Sequence, residues 1–228
     1  ILETFNQHQF AYLNIDQKGH VFEIILNRPE KKNALNPVLL NELAFALSYA
    51  HYNKEIWVVV LSAEGNVFCA GADLKERNGM TDAQWMAQHA LFEQMIMALM
   101  DCPVPVIAAI NGASYAGGFE MTLGCDFVYA SKTARFALTE VTLGIMPGAC
   151  GTQNLPRAVG VRRAKEIILT GEPISAEQAY EYGIVNKLCD PENLSEEALA
   201  TAQKICDNAP ISIRQAKKSM GMSQNIDL

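Results

Sequence analysis

The sequence predicts an α/β fold built on a largely parallel sheet, followed by a mostly helical C-terminal part. Three observations predict it. Residues 57–61 (WVVVL) and 105–110 (PVIAAI) are continuous apolar runs of strand length, suited to strands buried on both faces. Helix signals alternate with these runs. Three stretches also share one plan: VVVLSAEGNVFCAGAD, VIAAINGASYAGGFE and FVYASKTARFALTE. Each has an apolar strand, a small-residue turn, then a second short extended piece or a helix start. They read as successive turns of one spiral.

The elements follow in order. Residues 21–26 form a β-rich run that stops at Asn27-Arg28-Pro29. Asn36-Pro37 supplies an N-cap and a proline at the first helical position, opening a helix to about Asn53. The strand 57–61 leads to a turn at Gly65-Asn66. Residues 81–100 have the pattern of a long amphipathic helix capped by Thr81 or Asp82. The strand 105–110 ends at Asn111-Gly112, a helix spans 117–124, and a third strand spans 126–130. After about Gly144 helices dominate, over 152–159, 162–170, 176–182, 194–208 and 211–220, with one strand at 184–188. No low-complexity linker divides the chain. The expectation is one α/β core over 1–190 with a helical segment over 191–228.

Composition excludes several classes. Half of the 228 residues are hydrophobic and 19% are charged, too apolar a balance for a disordered chain. No unbroken apolar run spans a membrane, so a soluble protein is expected. A net charge of −7 opposes broad nucleic-acid binding. The six cysteines (Cys69, Cys102, Cys125, Cys150, Cys189 and Cys206) form no C-x-x-C and sit mostly in apolar stretches. Buried, reduced thiols of an intracellular protein are expected, not a zinc site or disulfide framework. His8, His20, His51 and His89 lack ligand spacing, so no metal is expected. The chain starts with Ile1, so its true start is expected to be missing and an absent leader says little about compartment.

The chemistry-bearing residues cluster in two small-residue loops, Ala70-Gly71-Ala72-Asp73 and Ala116-Gly117-Gly118-Phe119-Glu120. Small side chains let a ligand approach backbone N–H groups. At a helix N-terminus those groups favour negative charge, and two from different loops can make an oxyanion hole. Close packing of helix on strand explains either loop equally well. Glu120, among Phe119, Met121 and Leu123, suits acid–base work if it points inward, and helix-dipole stabilisation if it does not. Glu140 alone reads as a solvated loop carboxylate. Together, the two carboxylates, 20 positions apart, can face one cleft and divide acid and base roles. Gly112-Ala113-Ser114-Tyr115-Ala116 misses the serine-hydrolase elbow at its last position, and every histidine precedes Ser114. Basic residues gather at Arg28, Lys31 and Lys32 and at Lys75 and Arg77. These groups flank the small-residue loops, where they can meet a phosphorylated ligand or simply be solvated.

At these residues the sequence resembles the crotonase, or enoyl-CoA hydratase/isomerase, superfamily. The matching stretches are Asn27-Arg28-Pro29 with Asn33-Ala34-Leu35, FCAGADLKE (68–76), PVIAAINGASYAGGFEMTLGCDFVYAS (105–131), FALTEVTLGIMPGACGTQNLPRAVG (136–160) and A-x-x-x-G-I-V (179–185). The resemblance implies a crotonase-like spiral of β-β-α turns with a helical C-terminal part used in trimerisation, and a homotrimer or dimer of trimers. It implies an acyl-CoA substrate, no separate cofactor, and no nucleic-acid or membrane partner. It maps the oxyanion-hole donors onto Ala72 and Gly117 and the hydration glutamates onto Glu120 and Glu140. Ala70, Ala72, Asp73, Leu74 and Lys75 would line the substrate with Gly117, and Arg28 and Lys31 would meet its phosphates. Gly148 and its loop would shape the pocket beside Glu140. Cys150 and Ala116 stand where the family usually has glycine; the first is expected to be a packing variation. The chain also stops where relatives continue into further helix, so an incomplete C-terminal segment is implied.

Retention of both glutamates favours a 2-enoyl-CoA hydratase. The alternatives are a Δ3,Δ2-enoyl-CoA isomerase, a hydratase of a branched or carboxylated substrate such as 3-methylglutaconyl-CoA, and a non-catalytic acyl-CoA- or RNA-binding relative. A bacterial cytoplasm and a mitochondrial matrix both suit such a chain.

Overall fold

The structure, a computed structural model, describes residues 2–222. In chain order it contains α1 (Leu2–Gln7), β1 (Leu13–Lys18), β2 (Val21–Leu26), α2 (Pro37–Tyr52), β3 (Val58–Ala63), β4 (Val67–Cys69), α3 (Leu74–Arg77) and α4 (Asp82–Met100). Then come β5 (Val106–Ile110), β6 (Ala113–Tyr115), α5 (Gly117–Gly124), β7 (Phe127–Ser131) and β8 (Arg135–Ala137). The remainder is α6 (Gly151–Val159), α7 (Val161–Thr170), β9 (Ile174–Ser175), α8 (Ala176–Glu181), β10 (Lys187–Cys189), α9 (Leu194–Cys206) and α10 (Pro210–Met222). Short 3-10 turns occur at Pro29–Lys31, Glu140–Leu143 and Pro191–Asn193.

Local chemistry explains the helix starts. The Asn36 side chain accepts the Leu39 N–H at 3.0 Å, with Pro37 at the first position of α2. Thr81 and Gln84 form a reciprocal capping box on α4. Asp73 accepts the N–H groups of Lys75 and Glu76 and so starts α3.

Two sheets form, one of six strands in the order β1-β2-β3-β5-β7-β10 and one of four in the order β4-β6-β8-β9. Within the large sheet only β1 and β2 pair antiparallel; β8 and β9 do so in the small one. Each spiral turn places its first strand in the large sheet and its second in the small one, as β3-β4, β5-β6 and β7-β8 do. The spiral read from the three similar stretches is therefore present, in the β-β-α form that the resemblance implies.

The apolar runs have a physical use. Along β3, Val59 and Leu61 enter the main core with Leu40, Leu47 and Phe68, while Val58 and Val60 face a second core. Alternate side chains of a strand point to opposite faces. That second core is closed by Leu194, Ala198, Ala202 and Cys206 of α9. The expected boundary at 190/191 thus falls inside one packed unit. By contrast, α10 buries no residue and is tied on by Arg214 to the Ile56 carbonyl (3.0 Å) and by Lys217 to Asp126 (2.6 Å). Residues 223–228 of the expected helical segment lie outside the described residues.

The expected strand 184–188 is shifted to Lys187–Cys189. Ile184 and Val185 are buried, yet both N–H groups go to the Ala179 carbonyl and close α8, so burial without a ladder made them look like strand. The edge strand β1 and helix α1 carry too weak an apolar pattern to be read beforehand.

Candidate active site

The site begins where the small-residue loops touch. Gly71 has φ +87°, and a Cβ there would lie 2.8 Å from the Ala116 Cβ and 3.2 Å from the Gly117 nitrogen. Only glycine meets both constraints. A single parallel bridge joins Leu35 to Ala72: the Leu35 N–H donates to Gly71 (2.8 Å), and the Asp73 N–H donates to Leu35 (3.0 Å). This pattern turns the Ala72 N–H away from Leu35. Gly117 is the first residue of α5, where no intrahelical acceptor exists. Among the described residues, neither the Ala72 nor the Gly117 N–H has an acceptor. Two unused donors from adjoining loops can hold a developing oxyanion.

Both glutamates are buried, at 3% exposure for Glu120 and 7% for Glu140. The Glu120 Oε1 accepts the N–H groups of Ala149 (2.8 Å) and Gly151 (2.9 Å). Burial raises its pKa above the ordinary value, while those two N–H groups and His89 pull it down. Glu140 opens a 3-10 turn, and its Oε2 is buried with no partner among the described residues. Burial pushes its pKa up to about 7, and the Glu120 charge adds to the rise. The two carboxylates therefore lie within electrostatic reach in unequal surroundings: one is pinned by two N–H groups from another loop, the other is desolvated with one oxygen unpaired.

Several expectations need correction. The loop 147–151 cups Glu120: two of its N–H groups bind Glu120, and a Cβ on Gly151 would come within 2.8 Å of Oε1. Gly148 lies against the His89 ring, where its Cβ would be 3.0 Å from Cε1. Cys150 is a backbone variation rather than a packing one, since it holds the left-handed conformation at φ +67°. Arg28 does not face a phosphate. Its guanidinium is buried, with Nη1 2.8 Å from Asp73 and 2.9 Å from the Ala34 carbonyl, and Nη2 3.3 Å from Glu76. Burial alone would raise the Asp73 pKa, yet Arg28 and the Glu76 and Lys75 N–H groups hold it below the ordinary value. Asp73 thus faces Arg28 and caps a helix instead of lining a ligand.

The other expected lining residues divide. Leu74, Lys75 and Lys31 are exposed, whereas Ala70 and Ala72 are half-buried. The Ser114 hydroxyl is buried 2.9 Å from Thr122, a strand–helix contact with no nucleophilic arrangement. All six cysteines are free thiols, and burial pushes that of Cys69 up to about 12. Among the described residues no group of three His, Cys, Asp or Glu side chains sits together as a metal site would require. No described helix is long and apolar enough to cross a membrane.

Sequence reasoning assigned no role at the site to an individual side chain of α4. The Phe92 ring lies where a Gly117 Cβ would be, at 2.8 Å. The His89 ring stacks on Trp85 and sits 3.5 Å from Glu93. The i, i+4 spacing of Trp85, His89 and Glu93 was the available signal that these side chains share a face.

Ala116 has φ +50° and ψ −124°, a conformation that glycine adopts far more readily. Ala116→Gly is expected to stabilise the fold by about 1 kcal/mol, the relief of strain exceeding glycine's entropic cost. A urea midpoint that falls would show that no strain is stored beside the Gly117 donor.

The model of the enoyl-CoA hydratase/isomerase family matches residues 16–227. The chain belongs to this family. Its relatives include the short-chain-enoyl-CoA hydratase of Clostridium acetobutylicum, 36% identical over 215 residues that cover 94% of this chain and 82% of the relative. An enoyl-CoA isomerase/hydratase of Mycosarcoma maydis is 35% identical over 230 residues, covering 96% and 84%. The crystal structure of an enoyl-CoA hydratase from Bacillus anthracis superposes with a TM-score of 0.93 at 43% identity, covering 95% of this chain and 85% of that one. The spiral described above is thus the crotonase fold of the enoyl-CoA hydratase/isomerase family.

Proposed function

We propose that this family member is an enoyl-CoA hydratase. It would add water syn across C2=C3 of a 2-enoyl-CoA thioester to give the 3-hydroxyacyl-CoA. One observation supports the reading: two buried carboxylates in unequal surroundings lie within electrostatic reach of each other, and Glu120 stands on the helix that begins at one of two unused N–H donors.

The Ala72 and Gly117 N–H groups would hold the thioester oxygen as enolate charge develops. Loss of one such donor costs roughly 10²–10³ in rate. Glu120 has Oε1 occupied by two N–H groups, which leaves Oε2 to position a water and take its proton as the oxygen attacks C3. Glu140 would deliver its proton to C2. The proton gained by Glu120 returns to Glu140 between turnovers, so the pair ends as it began. Leu74, Lys75 and Lys31, exposed near the loops, suit contact with the CoA portion, and Ala70 and Gly148 suit the pocket wall. CoA arrives as part of the substrate, and no separate cofactor enters the reading. A homotrimer or dimer of trimers, in a bacterial cytoplasm or mitochondrial matrix, completes it.

Crotonyl-CoA tests the activity, followed as loss of the conjugated enoyl absorbance. No turnover with short, medium or branched 2-enoyl-CoAs would remove the hydratase reading. Conversion of 3-enoyl-CoA alone would assign the isomerase activity instead.

A pH dependence follows from Glu140, whose folded pKa of about 7 lies above the ordinary 4.5. If Glu140 is the acid, kcat/KM falls as pH rises through about 7, where the free enzyme loses that proton. Stability has the same sign. A raised carboxyl pKa favours folding fully below 4.5, and that contribution is lost as pH rises through about 7. A pH–rate profile with no inflection near neutrality would exclude Glu140 as the proton donor.

A further inference from the structure

Cys150 stands between the two N–H groups that hold Glu120. Its neighbours Ala149 and Gly151 donate to one oxygen, at 2.8 and 2.9 Å. Backbone N–H groups converge on an anion in this way where the residue between them is left-handed, as Cys150 is at φ +67° and ψ 12°. A residue with a Cβ resists that conformation by a factor of about 5–30 in population. Cys150 therefore does not select the geometry on which Glu120 depends, and its surroundings must impose it. On the C-terminal side α6 does so, because the Cys150 carbonyl accepts the Gln153 (3.1 Å) and Asn154 (2.8 Å) N–H groups. On the N-terminal side the Ala149 N–H is already committed to Glu120.

His89 covers that side from α4. The ring turns its Cε1 edge to Gly148, where a Cβ would lie 3.0 Å from Cε1, 3.9 Å from Nε2 and 4.0 Å from Nδ1. Ring and loop backbone are thus in close contact. The ring is itself clamped. Trp85, one turn earlier, stacks on it with centroids 5.1 Å apart and planes 7° apart. Glu93, one turn later, places Oε1 3.5 Å from Nε2. The helix behind the ring is anchored by buried Phe92, Met95, Ile96 and Leu99. His89 also acts on Glu120 by charge, as Glu140 does with the opposite sign. Contact and charge are separate routes, and experiment can part them.

We propose that His89 is a positioning residue: its ring braces Gly148, keeps Cys150 left-handed and so holds the two N–H groups on Glu120. The inference rests on Glu120 taking the proton of the attacking water in the hydratase reading. The brace is needed because residue 150 carries a side chain. A glycine there would adopt the same conformation unaided.

Four forms of the full chain test this: wild type, His89→Ala, Cys150→Gly and the double variant. Amide hydrogen exchange at Ala149 and Gly151 reads the loop, and crotonyl-CoA kinetics read the reaction. His89→Ala is expected to speed exchange at both amides roughly 5–30-fold, the factor by which the left-handed conformation is disfavoured. It should lower kcat about 10–100-fold, the effect of a misplaced catalytic group, with KM changed less than about threefold. In the Cys150→Gly background the same substitution is expected to change exchange and kcat less than about threefold. Unchanged exchange in His89→Ala overturns the brace. An equal loss of kcat in both backgrounds also overturns it, since His89 would then act through its charge, which Cys150→Gly leaves in place. Exchange reports on the brace whether or not crotonyl-CoA is turned over, so an inactive wild type removes the hydratase reading alone.

Discussion

Glu140→Gln is expected to lower kcat for crotonyl-CoA by roughly 10²–10⁴-fold and, at pH 8, to raise the melting temperature. The two effects share a cause. Glu140 is buried with one oxygen unpaired, and its ionisation is suppressed until about pH 7. Above that value the fold carries a desolvated charge, which the amide lacks. The amide has the same shape but no transferable acid proton for C2. Glu120→Gln should cause a comparable loss of rate with little change in stability. Its amide oxygen can still accept the Ala149 and Gly151 N–H groups. Steady-state kinetics and thermal melts of both variants check this. Unchanged turnover in either would remove that residue from the reaction, and a lower melting temperature for Glu140→Gln would show that its burial is not costly.

Arg28→Met should be the most destabilising substitution near the site. It removes the partner of Asp73 and leaves that carboxylate buried and uncompensated, which typically costs about 3–5 kcal/mol. The loss spreads because Asp73 also starts α3 and follows the Leu35–Ala72 bridge that orients the unused Ala72 N–H. Adding Asp73→Asn should restore part of the stability, since the neutral amide needs no cation. Urea denaturation of wild type, the single variant and the double variant closes the cycle. A loss below about 1 kcal/mol would mean that the pair behaves as an exposed one.

Much of this protein was legible in its residues, and the exceptions share a cause. The strands at 57–61 and 105–110 were readable because continuous apolar runs suit only a strand covered on both sides, as β3 and β5 are. The helices beginning at Pro37 and Asp82 were readable because their caps are local. The strand at 184–188 was misplaced because buried Ile184 and Val185 look the same whether they pair in a ladder or close a helix. Arg28 was misassigned for a similar reason. A basic residue near a ligand loop looks free in sequence, and its partner Asp73 is 45 positions away.

The sequence by itself determined the spiral, the two small-residue loops and the presence of both glutamates, because strand runs, caps and glycine turns are written in neighbouring residues. Only the tertiary structure decided which groups are paired. Among the described residues it turned the 147–151 loop onto Glu120, left the Glu140 Oε2 without a partner, gave Arg28 its acids and left Arg77 with none. Hydrogen bonding and desolvation depend on groups distant in the chain, and here they separate two carboxylates, and two arginines, of identical covalent chemistry.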